Sequence, residues 1–377
     1  MFGKIDLTSR RPLPPSLAMT VIVLALIGAF RSKPNRGVVG GHSEHHPNID
    51  PTSSPAPDAA TRETGRGREA DTPTDIPAKG WLDVAKRVYD ELGEDRVLAV
   101  AAGVTFYGIL AVFPALAALV SLYGLISDPA SINENLASLS GFLPSGAMEI
   151  VAEQVRTLTS HNDGALGFAF FSGLAISLWS ANAGMKAVFD ALNVAYGEKE
   201  KRNFIWLNLW SLVFTVATVL FLCVALTAVV VTPIILKYVG LGVAGEWLIW
   251  AGRWPALLFA TMIGLALLYR YGPSRERAEW VWVTPGALFA TVAWLGSSML
   301  FSWYVSSFGS YNKTYGSLGA AIGFMTWIWL SATIILMGAE LNAETEHQTA
   351  KDTTDGPEQP LGARGARMAD AIGAAQS

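Results

Sequence analysis

The sequence predicts an all-α fold: a polytopic transmembrane helical bundle with six core spans, amphipathic interfacial helices and disordered tails. Long charge-free apolar runs are the first observation. No Asp, Glu, Lys or Arg occurs in residues 280–312 or in residues 314–339. A bilayer core about 30 Å thick is crossed by roughly 20 apolar helical residues, so each run is long enough. Composition is the second: 51% of the 377 residues are hydrophobic and 15% charged, against about a quarter charged in soluble domains. The third is the supply of 13 Trp and 36 Gly. Trp anchors at membrane interfaces, and Gly permits close helix approach.

The same composition limits the function classes. A formal charge of −4 gives no reason to expect a nucleic-acid partner. The single Cys223 cannot form an internal disulfide and sits in an apolar run as a small packing residue. No Gly-Lys-Ser/Thr phosphate loop and no H-E-x-x-H occurs. His161 and His347 are isolated, so no metal or other cofactor is expected.

In chain order, residues 1–35 hold a short apolar segment, residues 17–30, between Arg10, Arg11 and Arg31, Lys33, Arg36. It reads as an extra short span, a signal-like core or an upstream extension, and these stay open. Residues 36–79 are rich in Pro, Ser, Thr, Asp and Gly and are expected to be a disordered linker. The linker contains G-H-S-E-H-H, read as solvated rather than metal-binding.

The membrane domain is expected over residues 80–345. In residues 80–96, Trp81, Val84, Ala85, Val88, Tyr89 and Leu92 recur at helical spacing among charges. That predicts an amphipathic helix lying flat on the cytoplasmic membrane face. Residues 97–127 form the first span, with Pro114 as its bend. Residues 128–163 form an outer segment with a second amphipathic stretch. The remaining spans fall at residues 166–188, 204–236, 246–271, 282–306 and 316–341. The polar residues 346–377 are expected to be a disordered cytoplasmic tail.

Orientation follows from Lys and Arg in the short loops. Lys199, Lys201, Arg202, Arg270, Arg275 and Arg277 follow the second and fourth spans. Only Arg156, Lys237 and Lys313 follow the first, third and fifth. Both ends of the six-span core are therefore expected in the cytoplasm.

Ionisable groups inside spans are costly and mark candidate sites. Arg253 lies in the fourth span between Trp250 and Trp254, roughly 25 Å from Arg270 at about 1.5 Å per residue. It reads as a snorkelling side chain or as a holder of an anionic headgroup. Lys186 and Asp190 share one face at the inner end of the second span and read as an ion pair. Glu340 and Asn342 close the sixth span. Glu340 reads as a satisfied packing carboxylate or as a proton or cation site coupled to transport. Between the last two spans, Tyr311, Asn312, Thr314 and Tyr315 form a capped turn or an outer binding lip. Gly316, Gly319 and Gly323 make a small-residue ridge for helix or protomer packing.

These stretches also carry a resemblance. Pro285-Gly286-Ala287, Trp294, Phe301, Tyr304, Phe308-Gly309, Tyr311-Asn312, residues 314–319 (T-Y-G-S-L-G), Trp327 and residues 338–342 (G-A-E-L-N) resemble the signature of the YihY/BrkB membrane-protein family. Residues 101–107 (A-A-G-V-T-F-Y) with Phe113-Pro114 resemble that family's first span. Trp179-Ser180-Ala181 and Ala191-Leu192-Asn193 resemble its second. The resemblance implies a six-span, multi-pass inner-membrane protein of a family associated with envelope integrity and virulence. Some members carry a ribonuclease label. A metal-dependent nuclease needs metal ligands and a basic groove, and this sequence has neither pattern. The expectation is a non-enzymatic protein in contact with the lipid bilayer, able to form a homo-oligomer. It transports or accommodates an amphipathic or anionic envelope molecule, or it is a non-transporting scaffold.

Overall fold

In hydrocarbon a peptide must satisfy its own hydrogen bonds, so the apolar runs fold as helices. The computed structural model describes residues 63–126, 166–226, 242–307 and 317–376. The described residues form seven α-helices and no strand. They are α1 (Ala78–Glu94), α2 (Val97–Ile126), α3 (Leu166–Ala195), α4 (Phe204–Leu226), α5 (Gly242–Tyr271), α6 (Trp280–Ser307) and α7 (Ser317–Glu346). A 3-10 turn, Pro73–Asp75, precedes them. The apolar segment 17–30, the G-H-S-E-H-H run, the outer segment 128–163 and the connection holding Tyr311, Asn312, Thr314, Tyr315 and Gly316 lie outside the described residues.

Among the described residues four helices are long and apolar enough to cross a membrane: α4, α5, α6 and α7. There are five if α1 and the first half of α2, bent by 61° where they meet, count as one broken span. The expected count of six is thus matched in part. Ser and Thr hydroxyls within the helices bond back to the carbonyl four residues earlier, as Thr105, Thr215, Thr291 and Ser331 do. Such hydroxyls bring no unpaired group into an apolar surface. Outward-facing side chains are apolar, among them Trp179, Val292, Leu300 and Trp303.

The last helix, α7, organises the bundle: it packs on α6, α2, α1 and α3. Indole nitrogens pin two of these contacts. Trp294 of α6 donates to Ser331 at 3.0 Å, Trp327 donates to Ser298 at 3.3 Å, and Trp329 donates to the Leu98 carbonyl of α2 at 3.0 Å. The closest helix approach is Gly286 of α6 against Gly338 of α7. A Cβ on Gly286 would overlap the Gly338 carbonyl oxygen, and one on Gly338 would reach 2.5 Å from the Tyr269 hydroxyl. The predicted ridge is looser, since a Cβ on Gly323 would meet only the Phe301 ring at 4.0 Å.

Two local features were not legible in the sequence. The helix α1 buries Asp83 and Arg87 with Val84 and Leu92, and leaves Leu82 and Tyr89 about half exposed. Its charged face is turned inward because partners wait there, Glu344 of α7 for Arg87 and Arg66 of the preceding segment for Asp83. Residues 63–79 and 346–376, expected to be disordered, are folded against the helix ends. Arg68, Arg364, Ala366, Met368 and Ile372 are buried. These segments have few large apolar side chains, and guanidinium–carbonyl hydrogen bonds hold them instead. Arg364 alone donates to the carbonyls of Lys351, Ala369, Ala350 and Gln359.

Candidate functional site

The polar side chains of the bundle gather where α7 ends, beside α1, the α3–α4 loop and the α5–α6 loop. Residues 340–348 of α7 and its exit read E-L-N-A-E-T-E-H-Q. Helical spacing aims successive polar groups at different neighbours.

Asn342 points at α6, where its carbonyl oxygen accepts the Gly286 N–H at 2.7 Å and its amide donates to the Val283 carbonyl at 3.2 Å. Both bonds flank Pro285, which stands inside α6 and interrupts its regular hydrogen bonding there. Glu346 receives Arg275 of the α5–α6 loop in two bonds of 2.6 and 2.9 Å, and both side chains are fully buried. The Arg275 guanidinium lies 4.3 Å over the Tyr196 ring. Glu344 receives Arg87 of α1, which also donates to Gln348 Oε1 at 2.7 Å and to the Glu344 carbonyl at 3.1 Å.

Glu340 differs from its two neighbours. It is fully buried, and neither carboxyl oxygen meets an N–H or hydroxyl donor. Its charged neighbours are other acids, Asp95 foremost, with Glu91 and Glu344. Two carboxyls share a hydrogen bond only when one of them keeps its proton. Asp95 sits where α1 and α2 meet. The next residue, Arg96, takes the left-handed backbone at φ 51°, which L-residues adopt at a cost of roughly 1–2 kcal/mol. Burial pushes the Asp95 carboxyl up to about 6, opposed by the Glu340 hydrogen bond and helped by the Glu94 charge. Burial and the charge of Glu344 push Glu91, on α1, up to about 8.

A second polar group joins α3 to α4. Lys186 donates to Asn208 Oδ1 at 3.0 Å, and the Thr215 hydroxyl donates to buried Asn182 at 3.3 Å. Lys186 was expected to pair with Asp190, and the hydrogen bond that joins it to the neighbouring helix is to Asn208. Arg253 is part-exposed on α5, with its guanidinium 5.3 Å over the Trp254 ring. It is not part of the cluster around Glu340.

Sequence reasoning singled out Glu340 and Asn342 from this end. It did not single out Asp95, Glu91, Arg87 or Tyr196, which lie in other elements. A charge-rich helix immediately before a long span was the only local signal for α1.

Apolar spans around an ion-paired polar end with one buried acid pair define a polytopic α-helical membrane protein. The chain belongs to the family described as virulence factor BrkB, whose model matches residues 88–362. It is 34% identical over 252 residues to YfkH of Bacillus subtilis (strain 168), whose name calls it ribonuclease-like. That match covers 64% of this chain and 88% of the relative. It is 24% identical over 283 residues to the UPF0761 membrane protein PSHAa0171 of Pseudoalteromonas translucida (strain TAC 125), covering 73% and 88%. It is 26% identical over 280 residues to the UPF0761 membrane protein VV0203 of Vibrio vulnificus (strain YJ016), covering 72% and 85%. No solved structure matches the chain.

Proposed function

We propose that this protein is a proton-linked transporter of an amphipathic or anionic envelope molecule, with Glu340 and Asp95 as its proton-carrying pair. One observation carries the reading. Of the three acids that end α7, Glu344 and Glu346 each hold a buried arginine, whereas neither carboxyl oxygen of the fully buried Glu340 meets a donor. A purely structural acid at that depth is expected to be paired with a cation, because unpaired ionisation there is costly. An acid pair that retains one proton can take up or release it when a packed neighbour moves. The meeting of α1 and α2 at Asp95 supplies a neighbour that can move.

The accompanying arrangement is α2 to α7 as six crossings of the inner membrane, with the polar end of α7 in the cytoplasm. The Lys and Arg counts of the loops support that orientation. In this reading Arg253, towards the other end of α5, meets the anionic part of the substrate. The non-enzymatic reading is supported by the residues around Glu340, which are arranged as closed ion pairs.

The test is transport by the purified protein in liposomes under an imposed pH gradient, following fluorescent anionic lipids and organic anions. Wild type is expected to move a substrate at a rate that depends on the gradient. Folded Glu340→Gln should lose that dependence, and Arg253→Ala should raise the substrate concentration needed. Movement by Glu340→Gln with the gradient dependence of wild type would overturn the proton-linked reading. A folded wild-type protein that moves none of these substrates would overturn transport of these classes.

A further inference from the structure

The segment after α7 runs across the polar end in one direction. Its residue 365 carbonyl accepts the Glu276 N–H of the α5–α6 loop at 3.2 Å. The Arg367 N–H donates to Glu198 of the α3–α4 loop at 2.7 Å, and its guanidinium donates to the Gly197 carbonyl at 3.2 Å. Gly373 then reaches α1. Its N–H donates to the His347 carbonyl at 2.7 Å, and its own carbonyl accepts from Arg68 at 2.8 Å. The Ala374 carbonyl accepts from Arg87 at 3.1 Å, and the Gln376 N–H donates to Asp83 at 3.1 Å.

Gly373 lies flat on the guanidinium of Arg87: a Cβ there would come within 2.7 Å of the Arg87 Cζ and Nε. Beneath Arg87 is Glu344, whose side chain is 1% exposed, with buried Glu340 one helical turn before it on α7. The strap therefore lies over the Glu344 end of the α7 acids, on the side of α1.

Its attachment is suited to release. Arg66, Arg68 and Arg87 each hold a carboxylate independently of the strap, respectively Asp83, Glu63 and Glu344. When the strap leaves, no guanidinium is stranded without its counter-charge, so opening avoids the large cost of an unpaired buried ion. What is lost is a set of hydrogen bonds from guanidinium groups to neutral carbonyls, two backbone N–H bonds to Glu198 and Asp83, which keep their Lys201 and Arg66 partners, and the burial of a few small side chains. The strap, residues 365–376, also lies outside the family-matched residues 88–362.

We propose that residues 365–376 are a displaceable lid that closes the aqueous route to the buried carboxyls Glu344 and Glu340. This does not depend on transport, and its test reads access rather than activity. The full chain in detergent micelles is treated with a water-soluble carbodiimide and glycinamide, and modification is mapped by mass spectrometry. Glu344 should react slowly in the unaltered chain. It should react at least about tenfold faster in Gly373→Leu and in a chain lacking residues 365–377, as expected when a local opening is made permanent. Exposed Asp90 and Glu94 serve as controls and should not change. Glu198→Gln loosens only the far anchor and should give a smaller increase at the same position, which keeps the test valid should the stronger variants not fold. Equal rates at Glu344 in the unaltered chain and in the folded variants would overturn the lid.

Discussion

Glu340 of α7 is fully buried with Asp95 of the α1–α2 junction as its foremost charged neighbour, in a site where Glu344 and Glu346 have each taken an arginine. Two neighbouring carboxyls join only through a retained proton. The stability of the pair therefore depends on what can replace that proton's hydrogen bond, not on charge neutralisation.

Glu340→Gln keeps a donor for Asp95 and should change unfolding free energy by less than about 1 kcal/mol, whereas Glu340→Ala leaves Asp95 buried without its donor. The loss expected for Ala is about 1–3 kcal/mol, added to that of the cavity. Thermal unfolding of the detergent-solubilised variants checks the order. Equal destabilisation by Gln and Ala would mean that the hydrogen bond is not what Glu340 contributes.

Stability should fall as pH rises through the mildly acidic range. Asp95 is raised from 3.8 to about 6 and Glu91 from 4.5 to about 8. A carboxyl with a raised folded-state pKa binds protons more firmly folded than unfolded, so the unfolding free energy decreases between the two values. The midpoint temperature should be highest near the low end of this window and lowest above pH 8. In Glu91→Gln the decline should be shallower above about 6, where Asp95 passes its midpoint. A midpoint that rises with pH across the window would contradict the assignment.

The Gly286–Gly338 contact should be intolerant where the Gly319–Gly323 ridge is not. Gly338→Ala forces a methyl between the Tyr269 hydroxyl and the backbone of α6. An overpacked contact of this kind costs about 1–3 kcal/mol. Gly323→Ala finds its nearest neighbour at 4.0 Å, an ordinary contact, and should be within about 0.5 kcal/mol of wild type. Comparable losses at both positions would place the close approach elsewhere.

Arg87→Ala leaves buried Glu344 only the His347 ring at 3.4 Å and should cost about 3 kcal/mol, the lower end for removal of one partner of a buried ion pair. Glu344→Gln in the same chain should recover part of that loss. A double-mutant cycle measures the coupling, and additive losses would show that the two residues act independently.

The helices were legible in the sequence because a charge-free run of more than about 20 residues has few other stable forms. Glu340 and Asn342 were legible for the same reason, as polar groups at the end of such a run. Their partners were not. Asp95 stands 245 positions before Glu340 in the numbering, and no periodicity links them. Which face of α1 packs on protein was not legible, because amphipathic spacing reports two faces without saying which is covered. Here Arg87 and Asp83 had partners, so the charged face went inward. The final segment defeats a composition argument in another way. Its Ala, Gly and Arg content predicts disorder, yet four carbonyls converge on Arg364, and convergence is not visible in composition.

The most direct test of the central claim is infrared difference spectroscopy of the protein in lipid, titrated across the acid range. The account predicts a carbonyl band of a protonated, water-shielded carboxyl that persists at neutral pH. It predicts that the band is lost in Glu340→Gln and shifts in Asp95→Asn, because one proton joins the two groups. Absence of such a band in the unaltered protein, or its survival unshifted in both variants, would contradict the shared proton and with it the proton-carrying role of the pair.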